Sequence, residues 1–331
     1  MWLRLKENHG NQVQELEAFL ARQNLSFEKI DLAKEILYRF DLGSKSLENL
    51  DFPPSVDVLP GENPYPLVSL AAKPERTRIV CGAHEIGPQK LTLIAGPCAV
   101  ETPAQIQASA ALVAKAGGHI LRGGVFKPRT SPYAFQGLGA EGYPLLAQAA
   151  RAHGLLSVSE VMDVEQIPQA AEYIDILQIG SRNMQNYSLL KALSKVQKPV
   201  LLKRGSAATL EEFLLSAEYI LSGGNESVIL CERGIRTFSA HQRHTFDVAI
   251  IPELKARTHL PVFADPSHAT GKASMVAPMA KAALAAGADG IMVEAHPAPE
   301  HALSDAAQSL DAEALQKLGD ELFGLESFLQ S

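Results

Sequence analysis

From residue 91 onward the chain alternates between two periods, and no other feature restricts its possible folds as much. Short apolar runs of strand length fall at 91–95, 119–122, 155–159, 174–179, 200–203, 228–231, 262–265 and 290–293. Longer stretches with helical spacing lie between them, such as 104–116, 145–152, 210–221 and 276–286. Eight buried strands separated by helices predict a parallel sheet wound by right-handed crossovers. The span 91–331 is close to the roughly 250 residues usual for a (β/α)8 TIM barrel. An open doubly wound sheet is the rival. It calls for a Gly-rich dinucleotide turn after an early strand, and Arg122-Gly123-Gly124-Val125-Phe126-Lys127 is not that turn.

The first 60 residues have a different rhythm. Strands are expected at 2–6, 26–31, 35–41 and 55–59, with a helix at 12–23 and a helical turn at 46–50. That is the order of a small ferredoxin-like α+β module. The expected division is a ferredoxin-like (ACT-like) module at 1–60, a Pro-rich linker at 61–77, and a barrel at 78–331 that begins with a hairpin around Gly82.

Charge and composition exclude some partners. The net charge is −7, from 30 basic and 37 acidic side chains, which argues against a nucleic-acid partner, since that needs a basic face. No apolar run reaches the ~18 residues of a membrane span, and the first ten residues lack a signal-peptide core, so a cytoplasmic location is expected. Cys81, Cys98 and Cys231 are too few and too odd for a disulfide framework; they read as free thiols or a metal ligand.

In such a barrel, chemistry gathers where the strands end. Arg122, Lys127, Arg182, Lys203 and Arg233 follow or close four of the runs. These cations would repel one another in one cleft unless an anion sits there, and their forked and point charges suit phosphate and carboxylate. Cys98, His268, Glu294 and Asp305 follow the first, seventh and eighth runs. One thiolate, one imidazole and two carboxylates suit a divalent first-row transition metal better than Mg²⁺ or Ca²⁺. Cys231 reads as packing, and His241 and His244 as surface or helix-start residues.

The motifs Gly96-Pro97-Cys98-Ala99-Val100-Glu101, Lys127-Pro128-Arg129-Thr130-Ser131, Gln178-Ile179-Gly180-Ser181-Arg182-Asn183, Leu201-Leu202-Lys203-Arg204-Gly205, Cys231-Glu232-Arg233-Gly234, Asp265-Pro266-Ser267-His268 and Leu303-Ser304-Asp305 together resemble 3-deoxy-D-arabino-heptulosonate 7-phosphate (DAHP) synthase, in its bacterial type I beta branch. The resemblance covers roughly residues 65–325. It implies the first step of the shikimate pathway: phosphoenolpyruvate, D-erythrose 4-phosphate and water give DAHP and phosphate. Cys98, His268, Glu294 and Asp305 would hold the metal, with Mn²⁺ expected and Fe²⁺, Co²⁺, Zn²⁺ or Cd²⁺ also compatible. Arg122, Lys127 and Lys203 would take the phosphoenolpyruvate carboxylate, and Arg182 and Arg233 its phosphate. Glu160 would lie near that phosphate or an ordering water. Pro128, Arg129, Thr130 and Ser131, with Asp305, would form the acceptor site. Arg122, Lys127, His268 and Glu160 are the expected catalytic groups, and the base for the water stays open between the last two. In the family the N-terminal module binds tyrosine or phenylalanine and closes over the barrel mouth, and the chain assembles as a dimer or tetramer. The rivals are the eight-carbon homologue, 3-deoxy-D-manno-octulosonate 8-phosphate synthase, and a non-enzymatic effector-binding barrel. The Lys127–Ser131 stretch argues for the four-carbon acceptor, and no ligand or anchor is missing.

Overall fold

A computed structural model describes residues 1–5, 10–43, 46–59, 63–127, 131 and 133–330. Pro128, Arg129 and Thr130, expected in the acceptor site, lie outside the described residues; the two rhythms of the sequence correspond to two structural units.

Four strands, β1 (Trp2–Leu5), β2 (Phe27–Asp31), β3 (Ile36–Phe40) and β4 (Val56–Leu59), form an antiparallel sheet in the order β2-β3-β1-β4. Helix α1 (Gly10–Arg22) packs on one face through Leu16, Phe19 and Leu20, against Leu3, Leu5, Ile36, Tyr38 and Phe40. Where a ferredoxin-like module carries its second helix there is only a single turn, Leu47–Asn49. Phe52 fills that place, its ring 5.2 Å from that of Phe19.

Strand periodicity of two turns Leu37 and Leu59 to the other face, where they join the main core. That face docks near the C-terminal end of α6 (Leu210–Ser222): the Ala33 amide donates to the Ser222 carbonyl, and Lys34 pairs with Glu226 at 3.1 Å. These contacts lie just before a barrel strand begins at Val228, so the module sits at the foot of the barrel. The family resemblance implied a module over the mouth; within one chain it docks at the opposite end.

The hairpin β5 (Ile79–Cys81) and β6 (His84–Ile86) follows. Then β7 (Thr92–Ala95), β8 (Ile120–Arg122), β9 (Leu156–Glu160), β10 (Ile176–Ile179), β11 (Val200–Lys203), β12 (Val228–Glu232), β13 (Val262–Ala264) and β14 (Gly290–Met292) close into a parallel barrel. The other helices are α2 (Pro103–Lys115), α3 (Gly142–Ala152), α4 (Ile167–Tyr173), α5 (Tyr187–Leu193), α7 (Ile250–Arg257), α8 (Pro266–Thr270), α9 (Ala273–Ala285) and α10 (Ala312–Gln330). Inside the barrel Ile94, Ile120, Val158, Ile176, Leu201, Ile229, Phe263 and Met292 pack together, and Ile79 and Ile86 of the hairpin join them and plug the foot. Cys231 belongs to this interior packing. Among the described residues no helix is long and apolar enough to cross a membrane.

Residues 63–77 are bound to the barrel along much of their length. Tyr65, Leu67 and Val68 are buried in the main core, Leu67 and Val68 amides donate to Glu218, and Thr77 Oγ1 lies 2.7 Å from His259 Nδ1.

Candidate active site

Side chains alternate across a strand, so counting in twos from the interior residues shows which groups reach the mouth on the inner face. Ile120 leads to Arg122, Val158 to Glu160, Ile176 to Gln178 and Leu201 to Lys203. Cys231 leads to Arg233, Phe263 to Asp265 and Met292 to Glu294. Ile94 leads to Gly96, where φ is +140° and a Cβ would lie 2.4 Å from the Arg122 carbonyl. Glycine there lets the chain turn into Pro97-Cys98 against its neighbour strand.

The result is a cavity of about 480 Å³ at the strand ends. Arg122, Lys127, Arg182, Lys203 and Arg233 all line it, as do Glu160, Ser131, His268 and Asp305. Its wall is strongly cationic. Among the described residues Arg122 Nη1 is buried with no hydrogen-bond partner, a donor free to take a ligand. Burial opposes the charge on Arg122, but Glu294 and Asp265 outweigh it and hold the guanidinium protonated. Lys127 donates to the Cys98 carbonyl at 2.8 Å, and Lys203 pairs with the fully buried Asp265. Glu160 makes no hydrogen bond among the described residues, and its carboxylate comes so near Gly180 that a Cβ there would lie 1.9 Å from Oε1.

At one side of this cavity Cys98, Glu294 and Asp305 place one ligand atom each within 4.8 Å of one another. The Cys98 thiol lies 3.1 Å from Asp305 Oδ2. His268 Nε2 and Arg122 Nη2 approach Glu294 Oε1 to 3.2 and 3.1 Å, yet that oxygen is buried without a geometrically formed hydrogen bond. Burial alone would raise the Glu294 carboxyl, but His268 and Arg122 reverse this and keep it ionised. Burial and the Glu294 charge push the Cys98 thiol up to about 12, which a bound cation would undo. His268 Nδ1 lies 2.7 Å from Asp265 Oδ2, and Asp265 also caps the His268 amide at 2.9 Å. A carboxylate on one ring nitrogen leaves the other to face a ligand, the usual support of a metal-binding histidine. The donor set and the orphaned carboxylate oxygen fit a divalent transition metal.

Sequence reasoning missed several groups. Arg236, Arg243 and His244 line the cavity wall beside Arg233, so His244 is a wall residue. Burial, Arg233 and Arg243 lower its imidazole to about 4, leaving it neutral. The bridge between Ile235 and Thr245 folds this loop back over the mouth; no local pattern signals that. Asp265, Gln178 and Gln308, which donates to Glu294 Oε2, also went unassigned. The two-residue period could have found Asp265 and Gln178. Arg204 was left without a role and is a buried hub, bonded to Glu232 at 3.0 Å and Asp247 at 2.9 Å.

A family model described as the DAHP synthetase I family matches residues 74–330. The phospho-2-dehydro-3-deoxyheptonate aldolase of Thermotoga maritima is 50% identical over 259 residues, 78% of this chain and 77% of the relative. A 2-dehydro-3-deoxyphosphooctonate aldolase of Syntrophotalea carbinolica is 32% identical over 265 residues, 74% of this chain and 94% of the relative. A crystal structure of the Thermotoga maritima aldolase aligns with a TM-score of 0.80 at 42% identity, covering 99% of this chain and 97% of that one. A truncated form of 3-deoxy-D-arabino-heptulosonate 7-phosphate synthase from the same organism aligns with a TM-score of 0.75 at 45% identity, over 80% of this chain and 97% of that one.

Proposed function

The chain belongs to the DAHP synthetase I family, and from that premise we propose how its barrel mouth divides the work of the reaction. The enzyme condenses phosphoenolpyruvate with D-erythrose 4-phosphate and water, releasing phosphate, at the first step of the shikimate pathway. The observation that carries the assignment of residues is the adjacency of a cationic cavity and a Cys/Glu/Asp cluster at the strand ends.

Arg122, Lys127 and Lys203 hold the carboxylate of phosphoenolpyruvate, and Arg182 and Arg233 its phosphate. Fixed cations in a water-poor cleft stabilise the charge that grows on the leaving phosphate. Arg236, Arg243 and the neutral His244 extend this wall toward solvent. Pro128, Arg129, Thr130 and Ser131 hold the acceptor, with Arg129 on its phosphate; Ser131 lines the cavity. Cys98, His268, Glu294 and Asp305 hold a divalent metal, with Mn²⁺ the expected ion. When bound, it supplies Lewis-acid polarisation of the acceptor aldehyde. Both ring nitrogens of His268 face carboxylates, whereas the Glu160 carboxylate lines the cavity with no hydrogen-bond partner among the described residues, so Glu160 takes the proton from the attacking water.

The finer organisation is proposed on the same footing. Residues 1–60 form a regulatory module for tyrosine or phenylalanine, 61–77 the connection and 78–331 the catalytic barrel. A dimer or tetramer and a cytoplasmic location rest on the family resemblance. The test of the metal assignment is chelation followed by Mn²⁺ addition. Phosphate release should stop and return in the wild type, and Cys98→Ala should not regain it at ordinary metal levels. Full turnover in excess chelator would refute the assignment.

A further inference from the structure

Asp305 stands in an awkward backbone conformation for a residue with a side chain, φ +52° and ψ +34°. Such a conformation persists only where surrounding structure holds it. Its loop leaves the barrel after β14 and returns at the bridge between Ala295 and Leu310. The span between is long, and Arg243 on its outer side reaches Asp305 only at 3.4 Å.

The inner side is braced by one side chain from another loop. Glu101 Oε1 accepts from the Leu303 amide at 2.9 Å, two residues before Asp305. Its other oxygen lies 3.4 Å from Nε2 of His296, at the root of the same loop, an approach that forms no hydrogen bond among the described residues. His296 Nδ1 accepts from the Ala298 amide at 3.1 Å, which leaves the ring proton on Nε2, facing Glu101. Both side chains are nearly buried, 8% and 6% exposed. Glu101 itself stands on a rigid base. Gln105 binds its amide at 3.2 Å and the Ala99 carbonyl at 3.3 Å, and Thr102 caps α2 beneath it. Glu101 follows Cys98 by three residues, so one carboxylate bonds the loop bearing Cys98 to the tip of the loop bearing Asp305 and faces its root.

The geometry points to Glu101 as a positioning residue that sets the spacing of Cys98 and Asp305, and through it the affinity for the metal. This rests on Cys98 and Asp305 being ligands. Residues that orient ligands from behind change metal affinity by about 10- to 100-fold when removed.

The experiment titrates Co²⁺ into the metal-free full-length protein and follows the thiolate-to-cobalt absorption, so no turnover is needed. Glu101→Ala is expected to weaken Co²⁺ about 10- to 100-fold. Glu101→Gln keeps the reach and an acceptor oxygen for Leu303 but turns an amide N–H₂ toward the His296 N–H, so it should lose less affinity than Glu101→Ala while showing that the site folds. In an Asp305→Asn background, Glu101→Ala should add little, because both changes act through one ligand. Wild-type affinity and spectrum in Glu101→Ala would overturn the proposal. So would an equal loss in Glu101→Gln, or full additivity with Asp305→Asn. If Asp305→Asn alone leaves Co²⁺ binding unchanged, the ligand reading itself fails, and that result is distinct from the others.

Discussion

Glu160 fits at the mouth because residue 180 has no side chain. A Cβ at Gly180 would lie 1.9 Å from Glu160 Oε1 and 2.7 Å from its carboxyl carbon. Gly180→Ala must therefore swing the Glu160 carboxylate aside, and because that is the free end of a flexible side chain the fold should lose little stability. If Glu160 handles the proton of the attacking water, turnover should fall by up to about 10²- to 10⁴-fold, the usual worth of general base catalysis. Phosphate release at saturating substrates, beside a thermal melt, separates the two effects. A folded Gly180→Ala enzyme with wild-type turnover would remove Glu160 from the chemistry. Arg129 lies outside the described residues, but Ser131 of the same motif lines the cavity. Arg129→Ala should raise the KM for erythrose 4-phosphate far more than that for phosphoenolpyruvate, since losing a charged anchor costs on the order of 2–5 kcal/mol. Equal effects on both KM values would reject its assignment to the acceptor phosphate.

At the scale of elements, alternation made the barrel legible, and within it the mouth. A strand buried on both faces leaves a short apolar run, and its first polar residue marks where it ends. That is why Arg122, Lys203 and Glu294 could be read at all. Residues on the returning loops could not: His244 and Arg243 reach the wall through backbone pairing to Ala269 and Thr270, a tertiary contact with no periodic trace. The segment 63–77 was hidden for the opposite reason. Its prolines suggest a linker, yet two titratable groups, the half-buried Glu218 and the buried His259, grip it through Leu67, Val68 and Thr77. Burial raises Glu218 to about 7, and burial lowers His259 to about 4. The signs differ. Glu218 contributes stability that is full below its unfolded value near 4.5 and lost as pH rises through 7. His259 contributes stability present above about 6.5 and lost as pH falls through 4. Glu218→Gln removes the titration behind the first effect and, at every pH alike, one of the two acceptors for the Leu67 and Val68 amides. Its unfolding free energy relative to wild type should therefore climb between pH 4.5 and 7, by an amount on the order of 3 kcal/mol. A difference that stays flat across that range would show that Glu218 does not titrate in the grip.

Across the whole molecule, the module and the mouth lie at opposite ends of one barrel. Among the described residues the module carries no group that lines the cavity, and where a second helix is expected it shows one turn. Deleting residues 1–62 spares the buried Tyr65, Leu67 and Val68 and should leave an active barrel. If the module regulates, tyrosine or phenylalanine should inhibit the full chain and not this barrel. A full chain indifferent to both would leave the module a packing role. The central claim concerns the acceptor, because relatives of both acceptor classes share much of this barrel. The direct measurement is phosphate release by the purified full-length protein with Mn²⁺ and phosphoenolpyruvate, offered erythrose 4-phosphate or arabinose 5-phosphate. Rapid release with the four-carbon sugar and at most slow release with the five-carbon one is the expected result. Preference for arabinose 5-phosphate, or no release with either, would contradict it.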